Sequence, residues 1–427
     1  MSIRRPIVAI AFAAALAGLP AAVADAAPKK LKKTTVCRRG CDFSSIQKAV
    51  NRTAKGGTVR IKPGTYTEGV VVKGSSKDGL KLIGLGKKPS KTVLQGKGAK
   101  DPSGNPASNG VFVDGADKVT LRNLTAKNYP GNGFFVRNCN GYLMDRLVAA
   151  FNRSYGLYAF NCVGGRMTRS TGYGHGDSAF YVGQTPPQDK PKRTTLDHLT
   201  GYMNVLGYSG TNSKYVDITK SDFFNNGAGI VPNTLESEKY APSAEGTITD
   251  NDVFWNNFNY FRSDSKVKPL DPATGGFNYP TGAGVVLFGI TGWKVSGNRI
   301  FGNFKWGVFN VSDPAYAPAT NKDNAVTGNT MGGAMNDANG VDFMTEGSGS
   351  GNCWGDNGAG VTFDPGSQPD AQLYPACGPT PATNGLDGQQ LGEIAGYLTQ
   401  AETQEDSWAK HTHPAFEGRK PIDGMGG

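Results

Sequence analysis

The sequence predicts an all-β fold, a parallel β-helix of about ten coils with about 22–23 residues in each coil. Three observations support this prediction. Glycine accounts for 60 of the 427 residues, and helices tolerate such a share poorly because a glycine in a helix interior costs about 1 kcal/mol. The chain also carries 21 Phe, 16 Tyr and 5 Trp, which argues against disorder. Finally, short segments of alternating polarity recur at a nearly constant spacing, as in repeat architectures.

The clearest repeat comprises four segments that each begin 23 residues after the previous one: 109–113, 132–136, 155–159 and 178–182. Stacked coils place equivalent residues about 4.8 Å apart, so each position forms a row along the axis. Because side chains alternate along a strand, every second row faces inward. The two predicted inward rows are Val111, Phe134, Leu157 and Phe180, and Val113, Val136, Ala159 and Val182. The row between them faces outward: Phe112, Phe135, Tyr158 and Tyr181.

A distinctive sequence precedes these repeats, in residues 43–50, 57–61 and 63–68. In these segments the chain resembles the right-handed parallel β-helices of the pectin lyase-like superfamily, as in secreted bacterial repeat proteins, and the resemblance extends over residues 36–365. The resemblance implies a single-stranded right-handed β-helix. It implies no single activity, because this architecture includes lyases, hydrolases, esterases, epimerases and non-catalytic proteins.

The same resemblance implies a helix at residues 44–55 that caps the N-terminal end of the stack. The residues agree with this expectation, since Ile46, Ala49 and Val50 share one helical face after a serine that can serve as N-cap. We therefore assign residues 36–377 to the β-helix domain. Residues 378–427 leave the repeat, and Leu391, Ile394 and Leu398 lie at the spacing of a short helix in this C-terminal tail.

The N-terminus has the features of a signal peptide at residues 1–26. Arg4 and Arg5 precede an apolar segment at 7–19, and residues 24–26 read Ala-Asp-Ala, a typical cleavage site. We expect the protein to be secreted or associated with the cell envelope. No other apolar run reaches 18 residues, so we expect no transmembrane segment.

In an exported protein we expect the six cysteines to form disulfides, because disulfides persist in oxidising compartments. Proximity favours two bonds, Cys37–Cys41 and Cys353–Cys377. The remaining pair, Cys139 and Cys162, lies one repeat apart and should stack between coils. Parallel strands point both Cβ atoms the same way, so we expect stacked thiols, with a bond as the open alternative. No cysteine or histidine spacing indicates zinc.

Charge is distributed unevenly along the chain. Residues 27–100 carry 19 Lys and Arg against three acidic residues, whereas residues 101–427 carry a net negative charge of 7. For an exported protein this pattern favours an acidic polysaccharide or an anionic cell-envelope polymer as partner over nucleic acid. A solvated, lysine-rich surface without a partner is the alternative.

Four insertions interrupt the repeat, at residues 183–195, 231–246, 259–283 and 311–323. Long loops on both flanks of one strand row would wall a groove above it. The predicted substrate-binding floor starts with Phe112, Phe135, Tyr158 and Tyr181, because aromatic rings bury the apolar faces of sugars. Its continuation would be Ser209, Val231, Val286, Phe309 and Asp342. In the alternative interpretation the loops simply pack over these rings.

Candidate acid and base residues occur at 172–178. His175 lies between two glycines, as in polygalacturonases, but the acidic companion motifs of that family are absent. His175 also continues a row of turn residues that contains Asn152, Asn204, Asn226, Asn256 and Asn303. It is therefore either a turn residue or a catalyst, with Asp177 and Tyr181 close enough to cooperate.

A basic row offers a second candidate site, with members at equivalent positions of four consecutive coils: Arg146, Arg169, His198 and Lys220. Lyases acting on uronic acid polymers use cations to neutralise the C5 carboxylate and a base to remove the C5 proton. The alternative is a solvated row paired to Asp145 and Asp197. The Asp-Pro-His signature of mannuronan epimerases is absent.

Two function classes stay open. The first is an exported protein that recognises an acidic polysaccharide and cleaves it, as a polysaccharide lyase or related carbohydrate-active enzyme. The second is a non-catalytic structural or envelope-binding β-helix protein. We expect a monomer with no resident cofactor and no metal, since no cluster of Ca²⁺ ligands is evident although β-helix lyases often hold Ca²⁺.

Overall fold

The computed structural model describes residues 30–271, 279, 281–312, 321–364, 372–379, 392 and 413–421. The chain folds as a right-handed parallel β-helix, as the sequence predicted. Each coil contributes one strand to each of three parallel sheets, and each strand pairs with the equivalent strand one coil away. The predicted signal peptide and the predicted tail helix at Leu391, Ile394 and Leu398 lie outside the described residues.

Sheets I, II and III contain twelve, ten and eleven of the described strands, respectively. Sheet I consists of Leu31–Val36, Thr53–Ile61, Lys81–Gly84, Val119–Arg122, Tyr142–Asp145, Gly165–Thr168, Thr194–Asp197, Val216–Thr219, Thr247–Thr249, Lys294–Ser296, Ala325–Thr327 and Cys353–Gly355. Sheet II consists of Gly64–Tyr66, Thr92–Gln95, Thr125–Lys127, Val148–Ala150, Thr171–Tyr173, Thr200–Tyr202, Asp222–Phe224, Asp252–Phe254, Arg299–Phe301 and Thr330–Met331. Sheet III consists of Val70–Lys73, Val111–Asp114, Phe134–Asn140, Leu157–Val163, Ser178–Gly183, Leu206–Thr211, Ala228–Asn233, Ala283–Phe288, Trp306–Val311, Val341–Thr345 and Phe363–Asp364.

The core lies inside the coils, where the 23-residue register placed it. Val111, Phe134, Leu157 and Phe180 pair in sequence across four strands of sheet III, and each is completely buried. The second predicted inward row is buried as well: Val113, Val136, Ala159 and Val182. Both inward rows are therefore confirmed.

Asparagine ladders hold two of the turns together. Between sheets II and III, each side chain accepts a hydrogen bond from the backbone nitrogen of the residue one coil earlier: Asn152, His175, Asn204, Asn226, Asn256, Asn303 and Asn339. A similar ladder between sheets I and II contains Asn251, Asn298, Asn329 and Asn357. Such ladders satisfy buried backbone groups that a turn would otherwise leave unpaired.

The N-terminal end carries one α-helix, Ile46–Arg52, which is shorter than the expected span of 44–55. Ser45 is its N-cap and accepts from the backbone nitrogen of Lys48, while Glu68 accepts from the backbone nitrogen of Ile46. Its buried residues are Ile46, Ala49 and Val50. The strand Leu31–Val36 pairs with Thr53–Ile61 at the same edge of sheet I, which the sequence analysis missed. The described residues also include three short 3₁₀ helices: Ser75–Lys77, Pro89–Lys91 and Gly332–Met335.

All six cysteines form disulfides, including the predicted pairs Cys37–Cys41 and Cys353–Cys377. Cys139 and Cys162 stack in register as expected, but they are bonded, so the expectation of free thiols was wrong. Their Cα atoms are 4.6 Å apart, within the range of disulfides. Each sulfur can rotate about its Cα–Cβ bond toward the other, so parallel Cβ atoms do not prevent the bond. In the part of the chain that the structure describes, no helix is long and apolar enough to cross a membrane.

Candidate functional site

The outward aromatic row lies on sheet III in the predicted register. Phe112 pairs with Phe135, Phe135 with Tyr158, and Tyr158 with Tyr181. Neighbouring rings of the row are in contact. Phe135 and Tyr158, for example, stack with their centroids 4.2 Å apart and an interplanar angle of 5°. The first three rings are half-buried, and Tyr181 is 4% exposed. Only the N-terminal part of the row is therefore open to solvent.

Beyond Tyr181 the expected floor is covered. Ser209, Val231, Val286 and Phe309 are all buried. Tyr260 and Val267 of the third insertion, with Phe258 just before it, belong to the same hydrophobic cluster as Val231, Val286 and Phe309. The expectation of an open groove along the whole row was wrong, because apolar residues of the insertion seal this part of the sheet.

Asp342 also departs from its expected position in the floor. Phe309 pairs with Met344, and Asp342 accepts hydrogen bonds from Asn339 and Thr362. The predicted row placed Asp342 one coil after Phe309. In the structure Phe309 pairs with Met344, two residues further along the chain, so this coil is two residues longer than the repeat predicted.

A buried polar cluster lies beside the aromatic row. The ring of Tyr155 is 4.5 Å from that of Tyr158 and 4.9 Å from that of Tyr181. Asp177 is 7% exposed. Burial raises the pKa of Asp177 to about 7, although the nearby hydroxyl groups of Tyr155 and Ser178 act in the opposite direction. Its carboxyl group can therefore gain or lose a proton near neutral pH, as a general acid or base requires.

Two further residues of this cluster come from insertions. Glu238 accepts a hydrogen bond from Gln184 at 2.9 Å. Burial raises the pKa of Tyr181 and of Tyr279, and the charge of Glu238 adds to both shifts. The sequence analysis named neither Glu238 nor Tyr279, because insertions have no periodicity to follow. It also missed Tyr155, although Tyr155 occupies the repeat position of Asn109 and Asn132 and could have been found by that spacing.

His175 lies in the asparagine ladder and is completely buried. Its Nδ1 contacts the backbone of Asn152, and its backbone nitrogen donates to Asn204. Burial lowers the pKa of His175 to about 4, against the effect of backbone hydrogen bonds to Asn152 and Ala149. It occupies the position of a turn residue, with no exposed surface through which to reach a substrate.

The basic row lies at the turn between sheets I and II, whereas the aromatic row lies on sheet III. All four members are exposed and have positive φ angles: Arg146, Arg169, His198 and Lys220. Arg169 lies 2.7 Å and Arg146 3.8 Å from the carboxylate of Asp145, and Arg122 approaches the same carboxylate to 2.7 Å.

Asp197 is the second carboxylate of the basic row. Although burial opposes the shift, hydrogen bonds from Arg166, His198 and Thr168 lower the pKa of Asp197 to about 2. Three of the four basic-row members are thus engaged with carboxylates. The structure does not bring the basic row together with Asp177 and Tyr181.

A cavity of about 920 Å³ lies at the turns between sheets II and III in the N-terminal half of the stack. Five cationic residues line it: Lys97, Lys100, Arg153, Lys266 and Lys268. The lining residues that the structure describes include no Asp or Glu. We call this site the cationic cavity. Lys97 and Lys100 belong to the basic segment 27–100, but the sequence singled out neither of them, and only the fold brings the five cations together.

The walls of the cationic cavity are apolar in part, with Tyr129, Phe151 and Val267 among them. Arg153 ties the third insertion to the stack, because its guanidinium donates to the carbonyl oxygens of Lys268 and Pro269 at 3.0 and 2.9 Å. This contact holds the segment that contains Lys266 and Lys268 against the coils. The cavity is therefore lined by cations from both the coils and the third insertion.

The cationic cavity adjoins the aromatic row. Ala107 lines both this cavity and a smaller one of about 160 Å³ that includes Phe112. At the other side, Arg153 is two residues from Tyr155, whose ring contacts Tyr158. Aromatic rings, cations and the Asp177 carboxyl thus share one region. In this region and in the rest of the described chain, no group of three or more His, Cys, Asp or Glu residues could hold a metal ion.

No family model and no curated protein matches this chain. Among solved structures, the chain is similar to the A-module of mannuronan C-5 epimerase AlgE4 from Azotobacter vinelandii, at 17% identity over 78% of this chain and 91% of that one, with a TM-score of 0.48. Pectate lyase Pel9A is 15% identical over 82% of each chain, with a TM-score of 0.38. A rhamnogalacturonan lyase is 13% identical over 85% of this chain and 98% of that one, with a TM-score of 0.38.

The shared feature is the fold. The chain is a right-handed parallel β-helix. At such low identity the similarity says nothing about which residues of this chain bind or react.

Proposed function

We propose that this protein recognises an acidic polysaccharide outside the cytoplasm, and that the cationic cavity is its principal binding site. The observation that carries the proposal is the set of five cationic residues around one cavity whose described lining contains no acidic residue. A uronic acid polymer presents one carboxylate on each sugar. Several cations in one cavity would neutralise consecutive carboxylates, and concave walls strengthen such attraction by focusing the field.

The apolar part of the site fits the same class of ligand. Sugar rings have apolar faces that pack on aromatic and aliphatic side chains, and Tyr129 and Phe151 lie among the cations. The half-buried rings of Phe112, Phe135 and Tyr158 extend this surface along sheet III. We propose that one sugar occupies the cavity while neighbouring sugars contact this row.

The proposed location follows from the disulfides. Three bonds use all six cysteines, and such bonds persist in oxidising compartments. Together with the signal-peptide features of residues 1–26, they favour a secreted or envelope-associated protein. We also propose that it acts as a monomer. An anionic envelope polymer offers the same chemistry as an acidic polysaccharide.

Cleavage of the polymer is a second candidate function, favoured by the Asp177 carboxyl group. In a β-elimination, Asp177 would accept the C5 proton, the electron pair would form the C4–C5 double bond, and the C4–O bond would break. Tyr155 or Tyr181 would then donate a proton to the departing oxygen. The pKa of Asp177 near 7 suits the first step, since a base works best near the ambient pH. His175 and the basic row have no part in this proposal.

The binding proposal is tested with charge reversals of equal size. Isothermal titration calorimetry with a polygalacturonate hexamer would compare the wild type with Lys97→Glu/Lys100→Glu and with the control Lys81→Glu/Lys294→Glu. The control lysines lie on sheet I, away from the cavity lining. We expect at least tenfold weaker binding for the cavity variant and a small change for the control. An equal loss of affinity in both variants would contradict the proposal, because it would show that binding depends only on the net charge of the protein.

Two additional measurements separate the function classes. Absorbance of new C4–C5 double bonds, with alginate, pectate and glycosaminoglycans as substrates, reports β-elimination. Binding without any such product supports the non-catalytic class. We also propose that binding needs no resident metal, so that EDTA should leave the affinity for the hexamer unchanged, whereas loss of affinity that Ca²⁺ restores would contradict this.

A further inference from the structure

A second aromatic row lies on the outward face of sheet II. Its five rings occupy equivalent positions in successive coils: Tyr173, Tyr202, Phe224, Phe254 and Phe301. Neighbouring ring centroids are between 5.0 and 5.5 Å apart, and no interplanar angle within the row exceeds 12°. We call this row the sheet II ladder. Phe254 and Phe301 belong to a hydrophobic cluster separate from the central core. Both are buried, whereas Tyr173, Tyr202 and Phe224 are half-buried.

Residues 413–421 of the same chain cover three rungs of the ladder, and we call them the strap. Phe416 packs edge-on against Phe254 and Phe301, with centroids 4.9 and 4.7 Å apart. The guanidinium of Arg419 lies over Phe224 at 5.1 Å and donates to the carboxylate of Asp222 at 2.8 Å. The part of the ladder under the strap, Phe224, Phe254 and Phe301, thus binds an aromatic ring and a cation next to each other.

A tight turn presents these two side chains together. Phe416 and Arg419 exchange two backbone hydrogen bonds, and both Glu417 and Gly418 have positive φ angles, as in hairpin turns of the primed type. In addition, Glu417 lies 3.4 Å from Arg299 on sheet II. The unit that the ladder holds is therefore a short aromatic–x–x–arginine turn.

Several side chains hold the strap in place. Phe416 and Arg419 contact the ladder, and the ion pairs of Glu417 and Arg419 are partly exposed, so salt weakens them. His413 of the strap lies 3.5 Å from the carboxylate of Asp337, and both of these side chains are buried. The ladder also continues past the strap to Tyr202 and Tyr173, which are half-buried.

We propose that the sheet II ladder is a docking surface for a partner protein that presents an aromatic–x–x–arginine turn, and that the strap occupies this surface until the partner displaces it. Charge complementarity supports this partner chemistry. When Arg419 leaves, Asp222 loses its cation, and Asp252 beside it is already paired with Arg299. An incoming arginine restores the missing charge. The proposal is independent of polysaccharide binding, which we assign to sheet III and the cationic cavity.

The test uses a fluorescein-labelled peptide with the strap sequence, His-Pro-Ala-Phe-Glu-Gly-Arg-Lys-Pro, and the full-length protein. In the variant Phe416→Ala/Arg419→Ala the strap loses both contact side chains, so its ladder is open. Fluorescence anisotropy should show that the open variant binds the peptide. The wild type should bind it about tenfold more weakly, because a tethered competitor acts at an effective concentration in the millimolar range.

Controls define what overturns the proposal. A peptide with alanine in place of its Phe and Arg should not bind, and Asp222→Asn in the open variant should weaken binding at least fivefold. An open variant that binds no peptide, or a wild type that binds it equally well, overturns the proposal. Thermal melting of the open variant is measured first, because a drop of more than a few degrees would make the strap a fixed part of the fold and overturn its displacement.

Discussion

The imidazole Nδ1 of His175 lies 3.3 Å from the backbone nitrogen of Asn152. At the equivalent position of the other coils, the asparagine ladder between sheets II and III has an asparagine side-chain oxygen. A histidine thus replaces an asparagine in a buried row of hydrogen bonds. Nδ1 accepts this bond only in the neutral tautomer that carries its proton on Nε2; a protonated Nδ1 would instead donate to the carbonyl oxygen of Asn152, 3.2 Å away. Burial favours this neutral form by lowering the pKa of His175 to about 4.

His175→Asn should therefore stabilise the fold more at acidic than at neutral pH. Between pH 4 and the ordinary histidine pKa near 6.5, the unfolded chain binds a proton that the folded chain does not, so wild-type stability falls as the pH decreases. Asparagine does not titrate. Its advantage should be about 2 kcal/mol larger at pH 5 than at pH 7.5, measured by urea denaturation. Asn226→Ala, which removes a rung that cannot titrate, should cost the same at both pH values.

Asp177 predicts the opposite pH dependence. Its folded pKa of about 7 is higher than the unfolded value of 3.8, so the folded chain holds the extra proton, and stability falls as the pH rises through 7. Asp177→Asn should remove this loss, with an advantage about 3 kcal/mol larger at pH 8 than at pH 5. If the wild type cleaves polyuronates, the same variant should also lose that activity. An equal effect at both pH values would contradict the raised pKa.

Tyr158 and Tyr181 should behave differently although they are neighbours in one row. Tyr181 is buried, so Tyr181→Ala should lower the free energy of unfolding by about 3 kcal/mol. Tyr158 is half-buried beside the proposed polysaccharide site, so Tyr158→Ala should weaken binding of the polygalacturonate hexamer by about 1 kcal/mol. Calorimetry and thermal melting of both variants check the pair. An unchanged affinity of Tyr158→Ala for the hexamer would show that the aromatic row of sheet III is not part of the binding site.

The Cys139–Cys162 bond should contribute measurably to stability. It closes a loop of one coil, and the chain-entropy model gives about 3 kcal/mol for loops of this size. Cys139→Ser/Cys162→Ser should lose an amount in this range in urea denaturation. Thiol titration of the denatured wild type should find no free thiol, and detection of two would contradict the bond.

Much of the fold followed from the sequence because a β-helix is locally repetitive. Each coil contacts its neighbours at a constant offset, so the spacing of Phe134, Leu157 and Phe180 specifies both the register and the buried face. The position of His175 in the asparagine row followed in the same way. The repeat failed where a turn changed length, which displaced Asp342 from its expected row.

The candidate site was less predictable because insertions complete it. The sequence by itself determined the stack, its inward rows and the order of the outward rings. Only the tertiary structure decided that the third insertion covers the C-terminal part of the row and that Lys266 and Lys268 line the same cavity as Lys97 and Lys100. It also decided that Asp177 is buried enough to change its pKa. These properties depend on contacts between segments without periodicity, whose positions are set by apolar burial and by single hydrogen bonds such as those of Arg153, and no spacing in the sequence encodes them.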